Sequence, residues 1–207
     1  MTTMTADRLR QIHDVTDNFL FWQGLRWIPL GAAMLTYSLM RSAHLSIPFA
    51  ARAWIGLLLL AVALWLSSSV LGRYYARHFG CVRGDASRHT LRTSVKWLVV
   101  YPAILIAMLV DIALLPPLLV SALAFAIAIE AYRQSTGGGR EHYIWSAIGL
   151  VVFSILPLFG AVPAGKHGLT PLIGIVGLIY IIGGVLDHRE LVRLFAPIQE
   201  EPRVASV

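Results

Sequence analysis

The chain has 207 residues, of which 57% are hydrophobic and only 14% are charged, and its formal net charge is +6 at pH 7. A soluble domain averages roughly a quarter charged residues, so this composition excludes an ordinary water-soluble globule and predicts that lipid surrounds most of the chain. The single cysteine, Cys81, excludes an intrachain disulfide framework. We expect an all-α polytopic membrane bundle, with one membrane domain over residues 1–195 and a flexible cytoplasmic tail over 196–207.

The first predicted element is a short amphipathic helix over residues 5–20, whose apolar side chains recur near helical spacing. Six apolar stretches follow, and we interpret them as transmembrane helices because a membrane helix needs about 20 mostly apolar residues. These predicted spans cover residues 21–40, 53–72, 97–115, 118–132, 143–163 and 171–186. Pro116 and Pro117 separate the third span from the fourth, and a proline pair interrupts a helix, so we expect a tight hairpin there.

The basic residues predict the orientation of the chain in the membrane. If both termini lie on one side, that side carries fourteen of the seventeen Lys and Arg residues, and the other side carries only Arg41, Arg52 and Lys166. Short cationic loops stay in the cytoplasm. We therefore expect a multi-pass protein of the cell inner membrane with both termini in the cytoplasm, which also requires an even number of spans.

The most basic stretch lies between the second and third spans, over residues 73–96, where aromatic side chains alternate with cations. The residues predicted to bind there are Arg73, Tyr74, Tyr75, Arg77, His78, Arg83, Arg88, Arg92 and Lys96. Segments of this kind bind anionic lipid headgroups or dock a cytoplasmic protein. Because the positive charge reports orientation in the membrane, we expect no nucleic-acid partner.

Charged residues inside predicted spans mark a candidate polar site, because a charge in the bilayer is unfavourable by several kcal/mol unless it is paired or hydrated. Three residues qualify: Asp111, Glu130 and Arg26. For Asp111 the alternatives are an outward-facing cation or proton site, a solvated hairpin base, and a bond to helix-end amides. For Glu130 they are a buried pair with Arg26, a contact with Arg133 at i, i+3 spacing, and an interfacial position.

Motifs for catalysis or cofactor binding do not occur in the sequence. There is no phosphate-binding Gly-x-x-x-x-Gly-Lys-Ser/Thr loop, no Gly-x-Ser-x-Gly elbow and no His-Glu-x-x-His pair. We therefore predict no catalytic residue, cofactor or metal. The favoured interpretation is a noncatalytic membrane subunit or regulatory partner that docks through its cytoplasmic face. The alternative is a transporter or channel subunit with a polar site around Asp111, acting as a homo-oligomer.

A third interpretation is a membrane enzyme that acts on lipid-like substrates at the cytoplasmic surface. It requires several histidines and acids to converge, namely His78, His89, His142, His188, Glu141 and Asp187. Their spacing along the chain does not predict that they meet. The polar run Asp187-His188-Arg189-Glu190 is instead interpreted as the stop signal and helix terminus of the sixth span.

Overall fold

The computed structural model of the chain describes residues 23–43, 48–79, 86–114, 117–135, 140–163 and 165–199. Every regular element within these ranges is helical, so the predicted all-α class is confirmed for them. Among the described residues, three helical stretches are long and apolar enough to cross a membrane: Ala50–Phe79, Glu141–Phe159 and Leu169–Arg193. They coincide with the predicted second, fifth and sixth spans.

The α-helices are α1 (Ile28–Ser42), α2 (Phe49–Trp65), α3 (Gly72–Phe79), α4 (Ala86–Ala113), α5 (Val120–Ser135), α6 (Glu141–Ile155) and α7 (Leu169–Gln199). A π-helical segment joins α2 to α3, and short 3-10 turns precede α1 and separate α6 from α7. These connecting elements are Leu66–Leu71, Gly24–Trp27, Leu156–Phe159 and Gly165–His167.

The other three predicted spans correspond to helices with shorter apolar stretches. The first corresponds to α1 with the turn before it, and the fourth corresponds to α5. The third overlaps the C-terminal part of α4, whose apolar part is Leu98–Ala113. The chain leaves α4 at Ala113 and enters α5 at Val120, so the helix is interrupted where the two prolines predicted a hairpin.

Both ends of the chain carry predictions that lie partly or wholly outside the described residues. The amphipathic helix predicted over residues 5–20 lies outside them, and so do residues 200–207 of the predicted tail. Helix α7 continues to Gln199, four residues into the segment that the sequence predicted to be flexible.

The helices pack as two groups that meet along α7. In the first group α7 packs along α1, and α1 packs against α2; in the second group α5 packs between α4 and α6. Buried apolar side chains join α5 and the residue before it to α6 and α7. They are Leu119, Ala122, Ala126, Leu150, Phe153, Leu169, Leu172 and Val176.

Glycines allow α1 and α7 to touch through their backbones. A Cβ atom added to Gly31 would lie 2.5 Å from the carbonyl oxygen of Gly177, and one added to Gly177 would lie 2.7 Å from the carbonyl oxygen of Gly31. Real side chains do not approach this closely. Small residues permit such contact in lipid, where helix association depends on packing rather than on the hydrophobic effect. The Ser38 hydroxyl adds a bond across the pair, donating to the carbonyl oxygen of Thr170 at 2.7 Å.

Candidate functional site

Asp111 closes the hairpin between α4 and α5. Its fully buried carboxylate accepts hydrogen bonds from the backbone N–H groups of Val120 and Ser121, each at 2.9 Å, and from the Ser121 hydroxyl. The first N–H groups of a helix have no partner within the helix, and a carboxylate there also interacts favourably with the helix dipole. Asp111 therefore caps α5. Of the three alternatives for Asp111, the structure shows the bond to helix-end amides.

Glu130 pairs with Arg133 rather than with Arg26. Its carboxylate accepts hydrogen bonds from Nε and Nη2 of Arg133 at 2.7 and 2.6 Å, and from the side-chain amide of Gln134 at 2.9 Å. The Glu130 and Arg133 side chains are 35% and 20% exposed. The contact is thus the i, i+3 pair on one helix that was among the alternatives.

Arg26 joins the turn before α1 to the π-helical segment after α2. Its Nε donates to the carbonyl oxygen of Ser67 at 3.1 Å, and its Nη1 donates to Oε1 of Gln23 at 2.9 Å. The Ser67 hydroxyl donates back to the carbonyl oxygen of Arg26 at 2.6 Å. Ser67 belongs to the π-helical segment, where the i→i+5 pattern interrupts regular α-helical bonding. Arg26 therefore stabilises backbone at this interruption.

The predicted cytoplasmic face lies partly on α3. Arg73, Arg77 and His78 are exposed there, and Tyr74 is half-buried. The structure places Tyr75 in the interior instead. Arg83 and the side chains of Arg88, Arg92 and Lys96 lie outside the described part of the chain.

Tyr75 connects α3 to α7 and to the turn before α1. Its ring is fully buried, and its hydroxyl accepts a hydrogen bond from the N–H of Leu25 at 3.2 Å. The same hydroxyl lies 3.0 Å from Nδ1 of His188 on α7. Because its acceptor side faces Leu25, the hydroxyl donates to Nδ1 when that nitrogen carries no proton. The exposed cations of α3 are thereby attached to the same end of α7 as Asp187.

Asp187 is fully buried, although the sequence suggested a polar helix terminus, and α7 continues twelve residues beyond it. Its Oδ2 accepts hydrogen bonds from Nη1 of Arg140 at 3.0 Å and from the hydroxyl of Tyr143 at 2.7 Å. The Arg140 side chain is only 1% exposed. An ionic pair therefore joins the start of α6 to α7 inside the protein.

Two further residues complete what we call the Asp187 cluster, which comprises Asp187, Arg140, Tyr143, Tyr132 and His142. The Tyr132 hydroxyl of α5 accepts a hydrogen bond from Nη1 of Arg140 at 3.4 Å, and the guanidinium carbon lies 5.9 Å from the Tyr132 ring centroid. Nε2 of His142 lies 3.3 Å from Oδ1 of Asp187. That distance suits an ion pair when the imidazole is protonated, but neither atom makes a hydrogen bond within the described ranges.

The membrane-enzyme interpretation requires six residues to converge, and this cluster contains only some of them. Of the six residues that it requires, the structure brings His142 and Asp187 together, whereas His188 contacts Tyr75 and Glu141 is exposed. Among the residues that the structure describes, no three His, Cys, Asp or Glu side chains lie close enough to hold a metal ion.

One feature of the sequence does indicate the cluster: Gly183 lies one turn before Asp187. A Cβ atom added to Gly183 would lie 3.4 Å from the ring and hydroxyl of Tyr143, so the glycine makes room for that ring against α7. An acid inside an apolar helix, one turn after a glycine, indicates a polar partner on a neighbouring helix. This signal does not say which helix supplies the partner.

An apolar cavity of about 470 Å³ lies beside the Asp187 cluster and between the two helix groups. Its aromatic wall residues are Trp27, Tyr101, Phe125, Tyr132, Tyr143 and Tyr180. Pockets that hold small molecules generally enclose about 300 to 1,000 Å³. Tyr132 and Tyr143 belong to both the cavity and the cluster, so one end of the cavity is polar. Asp111 is not among the lining residues.

In the part of the chain that the structure describes, fold and site together define a helical protein with three helices long and apolar enough to cross a membrane and a buried ionic cluster between α6 and α7. Comparisons with protein-family models, with curated proteins and with solved structures find no match for this chain. What the protein does is therefore inferred from its own residues.

Proposed function

We propose that this chain is a noncatalytic subunit or regulatory partner in the cell inner membrane, which crosses the bilayer six times with both termini in the cytoplasm. The three long apolar helices support this topology, and α1, α4 and α5 supply the remaining passes. The excess of arginine on one side supports the orientation. The segment 5–20 then lies on the inner surface as an amphipathic helix.

The use of the buried polar groups carries the proposal. Each polar or charged residue that is buried in the described ranges makes a hydrogen bond within the chain. These residues are Gln23, Ser38, Asp111, Ser121, Arg140, Ser154 and Asp187. In the Asp187 cluster, Oδ1 of Asp187 and Nε2 of His142 lie 3.3 Å apart and make no hydrogen bond within the described ranges. Most hydrogen bonds of the buried polar residues nevertheless lie inside the chain, whereas catalytic and transport sites direct polar groups at a substrate, so this use favours a scaffold.

Asp111 supports the scaffold role over a transporter site. Its two carboxylate oxygens already accept three hydrogen bonds from the start of α5. A carboxylate used in this way loses hydrogen bonds if it exchanges them for an ion or a proton, and Asp111 is fully buried. The alternative of a channel or transporter built on Asp111 therefore gains no support from the geometry.

The docking surface that we propose is the basic face of α3. Arg73, Arg77 and His78 are exposed on it, and Tyr75 attaches it to His188 of α7. A short cationic helix beside the cytoplasmic headgroups attracts an anionic lipid surface or an acidic partner. Because α3 is attached to α7, a partner bound there contacts the same end of the bundle as the Asp187 cluster.

Partner recovery from native membranes tests the docking role. The full chain, extracted with its surrounding lipid, should carry a second protein at fixed stoichiometry. The double variant Arg73→Gln/Arg77→Gln should lose most of that protein because docking depends on those two charges. The matched variant Arg41→Gln/Arg52→Gln removes as many charges from the opposite side and should retain it.

Thiol labelling of the same preparations checks the orientation. The native Cys81 should react with a membrane-impermeant maleimide only in inside-out vesicles, and Ser42→Cys in a Cys81→Ser background only in right-side-out vesicles. Reaction of both from one side would refute the six-span topology. A chain that purifies alone, or equal retention of the partner by both double variants, would refute the docking role.

A further inference from the structure

The aromatic cavity takes no part in the proposed docking function, although its volume and apolar lining resemble those of a ligand-binding pocket. We propose that it binds one hydrocarbon chain of an uncharged lipid whose head carries a hydrogen-bond acceptor, such as an ester carbonyl. This inference depends on the membrane location proposed above and is independent of any protein partner.

Access to the cavity runs sideways from the bilayer. Its α4 wall contains Tyr101 and Leu105, which are 58% and 61% exposed although both are large. The facing wall is formed by α7, which packs along α1, whereas α4 packs on α5. A gap between two helix groups that opens on a lipid-facing surface admits an acyl chain without passage through water.

The size and walls of the cavity fit one chain. Taking the roughly 30 Å³ that a water molecule occupies in the liquid as the volume of one methylene-sized group, 470 Å³ holds about 16 such groups. The aliphatic wall residues include Ile104, Ala128, Ile129, Val176 and Ile179. A chain in contact with these side chains makes dispersion contacts with both helix groups.

The charges beside the cavity favour an uncharged head. Arg140 and Asp187 lie 3.0 Å apart behind Tyr132 and Tyr143, and each neutralises the other. A charged head placed at this end of the cavity would lose its hydration without gaining a counter-ion. A cationic head would additionally approach the guanidinium of Arg140.

The tyrosine hydroxyls favour an acceptor on that head. The Tyr143 hydroxyl already donates to Asp187, so it offers the cavity only lone pairs. The Tyr180 ring stacks on Trp27, with centroids 5.7 Å apart, and no residue within the described ranges bonds its hydroxyl. The Tyr180 O–H is therefore a hydrogen-bond donor in an apolar wall. A carbonyl oxygen of the lipid head would accept its hydrogen bond.

Quenching of Trp27 fluorescence tests the proposal, because this indole lines the cavity. The other tryptophans, Trp22, Trp54, Trp65, Trp97 and Trp145, are replaced with Phe in the full chain, which is reconstituted in phosphatidylcholine vesicles. Three probes share one brominated 16-carbon chain and end in a methyl ester, a sulfonate or a trimethylammonium group. We expect the ester to quench with saturation, and the two charged probes to quench only in proportion to their mole fraction.

Substitutions locate the binding. Ala128→Phe fills the cavity and should abolish the saturable component, whereas Ala103→Phe makes the same change at an exposed position of α4 and should preserve it. Tyr180→Phe changes almost no volume and should raise the half-saturating ester fraction about threefold to tenfold through the lost hydrogen bond. If Ala128→Phe lowers the helix content measured by circular dichroism, the Tyr180→Phe curve is used instead to decide whether the ester probe binds in the cavity.

Several outcomes overturn this proposal without touching the docking role. Proportional quenching by all three probes, or saturation that persists in a folded Ala128→Phe variant, would show that no lipid occupies the cavity. Stronger quenching by the trimethylammonium probe would make it a cation–π site instead. An unchanged ester curve in Tyr180→Phe would remove the head-group assignment.

Discussion

Two faces of α7 hold the bundle together by different means. On one face Gly177 meets Gly31 of α1 at backbone distance, and no charged group takes part in that contact. On the other face Asp187 meets Arg140 and Tyr143 of α6 through hydrogen bonds, and an apolar cavity adjoins the contact. The first face leaves no room for a ligand, whereas the second encloses about 470 Å³.

The difference follows from what lipid permits. In a bilayer, apolar side chains gain little by leaving lipid for protein, so helices associate through close packing or through polar bonds. Close packing requires small residues and produces a continuous contact. Polar bonds hold two helices at a few points, and space remains beside those points. Helix α7 uses both means, and the ligand site that we propose lies on the polar face.

The largest effect is expected when one member of the buried pair is removed. Asp187→Leu takes the carboxylate away from the Arg140 guanidinium, which stays buried, so we expect a loss of about 3 to 5 kcal/mol in the free energy of unfolding. Reversible unfolding in mixed micelles, followed by circular dichroism, measures it.

The double variant Arg140→Met/Asp187→Leu is the control for that experiment. It removes both charges and should recover most of the loss, because a buried ion pair replaced by apolar residues is often neutral in stability. A single variant as stable as the wild type, or a double variant no better than the single one, would show that the pair does not hold α6 to α7.

An intermediate effect is expected on the glycine face. Gly177→Ala places a Cβ atom 2.7 Å from the carbonyl oxygen of Gly31 and 2.9 Å from the backbone nitrogen of Leu35, so α1 and α7 must move apart. We expect a loss of about 1 to 3 kcal/mol in the same unfolding measurement.

The matched control is Gly149→Ala on α6, where an added Cβ meets nothing within 4 Å. It should be neutral or stabilising by up to about 1 kcal/mol, because alanine favours a helix interior over glycine. Equal effects of the two substitutions would mean that helix propensity, and not the α1–α7 contact, controls the result.

The smallest effect is expected at Glu130, whose pair with Arg133 is partly exposed and lies within one helix. Glu130→Gln should lower stability by only about a tenth of the Asp187→Leu loss, because both partners of the Glu130 pair are partly exposed and belong to one helix. A comparable loss in the two variants would remove the distinction between an interhelical buried pair and a local surface pair. Salt titration sharpens the contrast, since screening weakens the Glu130 pair first.

Some features of the fold were predictable because they depend on neighbouring residues. The positions of three long apolar helices follow from local hydropathy, and the interruption between α4 and α5 follows from Pro116 and Pro117. The Glu130–Arg133 contact was among the predicted alternatives because i, i+3 spacing brings two side chains onto one helix face.

For other residues, the sequence indicated an unusual position but did not predict the residues that they contact. Asp111 was recognised as an anomalous charge in an apolar stretch, but its role as the cap of α5 depends on how the hairpin folds. Tyr75 was assigned to the cytoplasmic face by its basic neighbours. Its burial against His188 depends on where α3 lies relative to α7, which the neighbouring residues in the sequence do not specify.

The amino-acid sequence by itself determined the helical class and the position of the long apolar helices in the described part of the chain, because transfer free energies and helix periodicity are properties of each local segment. Only the tertiary structure decided that Arg140 and Asp187, 47 positions apart, form a pair, and that a cavity lies beside them. Such a pair forms only when two helices have the right depth and rotation, and these depend on contacts such as Gly31 with Gly177 across the whole bundle.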